Sequence, residues 1–106
     1  MTTTQFTALE FEIIMHRFDV PDCILEALQA DYDVSDDDFW EQLPDINEKT
    51  RSITVSSELS KQILVEALEG SAYLRCSEDT VSDQKYAAIQ RAHEQAGDKI
   101  AAMAAE

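Results

Sequence analysis

Glycine and proline are scarce in this chain, with two of each in 106 residues. That argues against an all-β sandwich built on Gly- and Pro-rich turns and against a low-complexity linker. With Gly70 and Gly97 as the only glycines, there is no material for a Gly-rich phosphate loop. Cysteine is scarce as well. Cys23 and Cys76 form no CxxC and have no metal-ligand spacing, so two buried reduced thiols are expected. No stretch reaches the roughly 18 apolar residues of a membrane-spanning helix. The first basic residue is Arg17, so the basic start of a secretory signal is missing and a cytoplasmic protein is expected. The most consequential shortage is of positive charge. Eight Lys and Arg stand against 22 Asp and Glu, a formal net charge of −14. Neutralising phosphates takes Lys and Arg, so the composition argues against direct binding to nucleic acid or to an anionic membrane.

What is present suits one folded domain over residues 1–106. Hydrophobic residues make up 44% and aromatics 8%, enough for a packed core. The charge is uneven. Residues 1–48 hold thirteen acids and one base, whereas 49–106 hold nine acids and seven bases. Asp19 to Glu48 contains eleven acids and no base. No linker separates the halves, so the reading is acidic N-terminal helices over 6–48, then a strand, a helix and a long C-terminal helix over 49–106.

The fold class expected is mainly α, a compact bundle of about five helices with at most a short two-stranded β ribbon. Phe6 to Phe18 reads as the first helix. Thr7 and Glu10 have the spacing of a capping box, Phe6 and Phe11 that of a hydrophobic staple, and Phe11, Ile14, Met15 and Phe18 that of an apolar stripe. Asp19 is expected to open a second helix, with Pro21 in its first turn and Ile24, Leu25, Leu28 and Tyr32 buried. Ser35 opens a short third, whose first turn is Asp36, Asp37 and Asp38, where the helix dipole favours negative charge. Thr50 to Val55 alternates like a strand, and Ala72 to Cys76 is either its partner or another helical turn. Between them, Ser56 or Ser57 caps a helix that ends near Gly70. The last helix runs from Ser82 to about Ala104. In it Tyr86, Ile89, His93, Ala96, Ile100 and Met103 recur with heptad spacing. That seam suits either packing across the chain's own domain or a weak homodimer.

Tests for chemistry are negative. Asp31, Asp33 and Ser35 begin like a calcium loop. The sixth position then holds Asp36 rather than Gly, and the twelfth holds Gln42 rather than Glu. His16 and His93 have no HxxxH, HExxH or CxxC neighbour, and no GxSxG elbow is present. No catalytic residue, metal site or cofactor is expected, and the chain reads as a non-enzyme.

A carboxylate surface remains. Glu10, Glu12 and Glu48 belong to it, and its expected partner-binding face is Asp19, Asp22, Glu26, Asp31, Asp33, Asp36, Asp37, Asp38, Glu41 and Asp45. Asp19, Asp22 and Glu26 read as one helical row and Asp33, Asp37 and Glu41 as another, with neighbours about 5–6 Å apart at Cβ. Such rows repel internally unless a basic partner neutralises them, although acidity also serves solubility alone. Phe39 and Trp40 are the candidate apolar anchors.

In size, acidity and helical character the chain resembles small phage or mobile-element inhibitors of the anti-CRISPR and DNA-mimic types. The resemblance implies a non-enzymatic inhibitor that occupies a nucleic-acid channel of a partner protein, without binding nucleic acid or membrane itself. The alternative is a small regulatory adaptor or anti-activator that binds a transcription factor or other protein through an apolar helical face.

Overall fold

Serine and threonine set all but one of the described helix starts. In a computed structural model of the chain, which describes residues 2–71 and 81–103, Thr7, Ser35, Ser57 and Ser82 are all N-caps. Each accepts a hydrogen bond from the backbone N–H three residues on. The chain order is β1 (Thr2–Gln5), α1 (Ala8–Phe18), α2 (Pro21–Asp31), α3 (Asp36–Glu41), β2 (Asp45–Asn47), β3 (Ser52–Val55), α4 (Glu58–Glu69) and α5 (Asp83–Ala101). The protein is thus mainly helical, with five helices among the described residues. The β part is larger than a two-stranded ribbon.

The three strands form one antiparallel sheet in the order β1-β3-β2. Ile53 faces Thr4 on one side and Ile46 on the other, and Val55 faces Thr2. Ile53 and Val55 are buried, so this face covers the core. The opposite face carries Thr3, Gln5, Asp45, Asn47, Ser52 and Thr54, all polar, as period-two alternation requires. The strand anticipated from Thr50 begins at Ser52, because residues 48–51 form the turn from β2. Asn47 Oδ1 holds that turn by accepting from the backbone N–H groups of Lys49 and Thr50. The other anticipated strand, Ala72–Cys76, lies outside the described residues.

Two apolar clusters hold the molecule together, and α4 stands between them. Leu64 and Leu68 join Phe6, Ile13, Ile14, Ile53, Val55 and the buried side of α5 in the main core. Ile63 and Ala67 join Ile24, Leu25, Leu28 and Phe39 of α2 and α3, with Leu59 against them. The rows 59–63–67 and 60–64–68 are adjacent four-residue ridges of one helix, so a single helix serves both clusters. Gly70 caps α4 with right-handed backbone (φ −82°), not the left-handed glycine conformation. Its smallness is what counts, since a Cβ there would meet Arg17 Nε and Glu66 O at 3.0 Å.

Candidate functional site

The acidic segment folds as a layer, α2 and α3, laid on α4. The expectation that Asp19 opens α2 is corrected. Asp19 is the C-cap of α1, held in right-handed backbone by its N–H to Met15 O, so it cannot take the extended N-cap conformation. Val20 is the N-cap instead and makes no side-chain cap bond, leaving Pro21 to start the helix. The connection from α2 to α3 is tied by Gln29, whose Nε2 donates to Val34 O at 3.1 Å and to Asp36 Oδ1 at 2.7 Å. The α3 end is tied to α4 by the Ser57 hydroxyl, which donates to Gln42 Oε1.

All ten carboxylates of the expected face are exposed: Asp19, Asp22, Glu26, Asp31, Asp33, Asp36, Asp37, Asp38, Glu41 and Asp45. Among the described residues none of them pairs with a Lys or Arg; the one ion pair seen there joins Lys99 to Glu10. The two three-membered rows do not survive. Asp19 belongs to the end of α1 and Asp33 to a loop, so each row shrinks to a four-residue pair, Asp22 with Glu26 on α2 and Asp37 with Glu41 on α3.

Glu10 does not belong to the acidic surface. Its side chain is fully buried, accepts from Thr7 N–H at 2.7 Å and from Lys99 Nζ at 2.6 Å, and completes the capping box. Lys99 also lies 5.6 Å from the centre of the Phe6 ring. Burial alone would push the Glu10 carboxyl up. The hydrogen bond from Lys99, the Thr7 N–H and the Lys99 charge outweigh it and hold the pKa below its ordinary value.

The two proposed anchors separate. Phe39 is fully buried in the α2–α3 cluster and is not available to a partner. Trp40, next to it, is 45% exposed, its ring set edge-on to Phe39 with centroids 5.1 Å apart. Tyr32, expected in the buried stripe, is 53% exposed, because α2 ends at Asp31 and extended backbone (φ −134°, ψ 158°) carries Tyr32 off the helical path. Val20 is 49% exposed. These three are the large apolar side chains exposed among the described residues, and all lie within the acidic segment. Sequence periodicity missed Val20 and Tyr32 because both sit at helix ends, where the stripe no longer dictates direction.

The heptad seam of α5 is occupied by its own chain. Ile89, Ala96, Ile100 and Met103 are buried in the main core, together with Ala92, which the heptad reading passed over. Tyr86 is half-buried, and His93 Nε2 lies 3.1 Å from Leu68 O. The row offered to a second copy is therefore covered from within. Cys23 is a free, half-buried thiol on α2, not a fully buried one, and Cys76 lies outside the described residues. Among the described residues no three His, Cys, Asp or Glu side chains converge as metal ligands, and no helix is long and apolar enough to cross a membrane. The chain matches no protein-family model, no curated protein and no solved structure.

Proposed function

We propose that the protein is a non-enzymatic, protein-binding inhibitor of the anti-CRISPR or DNA-mimic kind, acting in the cytoplasm. Its acidic layer covers a Lys- and Arg-rich nucleic-acid-binding surface on a partner protein. The observation that carries this reading is that Val20, Tyr32 and Trp40 are exposed within the same segment, 19–45, as ten exposed carboxylates that pair with no Lys or Arg among the described residues. Acidity needed only for solubility does not call for exposed aromatic rings in its midst. An interface does, since charges steer and aromatics anchor. The alternative, a regulatory adaptor that binds through an apolar face, draws on the same three side chains but not on the carboxylates.

A partner captured from the native host separates the two. Converting Asp36, Asp37, Asp38 and Glu41 to Asn or Gln should slow association about tenfold or more at low salt. The matched control, Glu69, Asp83, Glu94 and Asp98, is equally exposed and should slow it much less. Equal slowing by the two variants would mean that only total charge matters. Affinity insensitive to ionic strength would favour the adaptor.

A further inference from the structure

Between α2 and α4, beside the connection to α3, lies an apolar cleft of about 330 Å3. Leu28, Tyr32, Val34 and Leu59 line it, with Glu58 and Gln62 as its polar members. The volume is about twice the roughly 150 Å3 in which a protein cavity can hold a benzene ring, so one large side chain fits. The walls are fixed: Gln29 holds Val34 O, and Leu28 and Leu59 are anchored in the α2–α3 cluster. Among the described residues Glu58 is the one charged side chain that lines the cleft, and exposed Asp31 and Asp33 adjoin its Tyr32 in the chain. An acidic occupant would be repelled and a neutral one would leave the rim unpaired. An apolar side chain with cations on both sides satisfies floor and rim together.

We propose that this cleft receives a leucine-sized apolar side chain from a basic segment of the partner protein, with flanking lysines or arginines meeting Asp31, Asp33 and Glu58. The proposal rests on the acidic-face reading and names where the partner is held after charge has drawn it in.

The test is an NMR titration of the isotope-labelled protein with three short peptides. One has a central leucine between lysines and arginines, the second has serine in place of leucine, and the third keeps leucine but has glutamates as flanks. The basic leucine peptide should bind about tenfold tighter than the serine peptide, with the largest shifts at Tyr32, Val34, Leu59 and Gln62. Gln62→Arg should erase that preference, and Tyr32→Ala should weaken it if the arginine disturbs folding. Equal affinity of the leucine and serine peptides overturns the cleft and leaves the acidic face standing. Equal affinity of basic- and acid-flanked leucine peptides removes the charge complementarity and overturns the proposal. Failure of both basic peptides to bind even at low salt overturns the acidic-face reading as well.

Discussion

At Glu10 one side chain does two jobs, and only one of them is written locally. The capping box needs Thr7 and Glu10 three residues apart, so it is legible in the sequence and is present. The partner that draws Glu10 inside, Lys99, is 89 residues away, and no local pattern announces it. Local spacing alone therefore places Glu10 with the surface charge, and the contact with Lys99 is what takes it inside. A similar limit separates Phe39 from Trp40: on a six-residue helix the stripe is too short to say which ring turns inward. Because the Glu10 pKa is lowered, the pair contributes stability above the ordinary glutamate pKa, and that contribution is lost as pH falls through the lowered value. Lys99→Met leaves a buried carboxylate unpaired and should cost about 1–3 kcal/mol at pH 7, the range reflecting the partial exposure of Lys99. Urea titrations at pH 7 and near pH 3 test this. The gap between wild type and variant should narrow at the lower pH, and a gap that does not narrow would show that Lys99 acts through packing on Phe6.

The elements divide by how much local chemistry they contain. Three of the four Ser/Thr helix caps could be read in advance and the fourth narrowed to Ser56 or Ser57, because a cap is a contact within four residues. β1 could not. Thr2 to Gln5 has no apolar alternation and is a strand only because β3 pairs with it, with Thr3 Oγ1 2.7 Å from Thr54 Oγ1. β2 is three residues long with a single apolar side chain, Ile46, too little pattern to see. Within the acidic layer, the helix dipole distinguishes carboxylates that help their helix from those that do not. Asp22 and Asp36–Asp38 lie in first turns, where negative charge is favoured, whereas Asp31 is the last residue of α2, whose final turn has no base. Asp31→Asn should therefore raise stability by about 0.3–0.5 kcal/mol, and Asp22→Asn should lower it by a similar amount. Thermal unfolding of both variants decides the sign. If the acidic layer is an interface, the stabilising Asp31→Asn also slows association with the partner, so the native residue trades stability for binding.

On the scale of the whole molecule, the two clusters are unequal. The main core draws on the sheet, α1, α4 and α5, whereas the α2–α3 layer rests on a cluster of six buried side chains and carries eight of the ten exposed carboxylates. Mutual repulsion in that layer is screened by salt, with a Debye length of about 10 Å at 0.1 M and about 3 Å at 1 M. Raising the salt from low to molar concentration should stabilise the protein by about 1 kcal/mol, and native-state hydrogen exchange should slow most in α2 and α3. Uniform slowing, α4 and α5 included, would mean that the layer opens only when everything does. The division itself was not legible from sequence, because α4 shows one broad apolar face, and nothing in its pattern says that adjacent ridges meet different neighbours. That helix works as a party wall. Changes made well inside one cluster should add to changes made in the other, whereas those on α4 itself should not. The outer face of α2 and α3 can thus be rewritten, by drift or by design, while the house behind it stays standing.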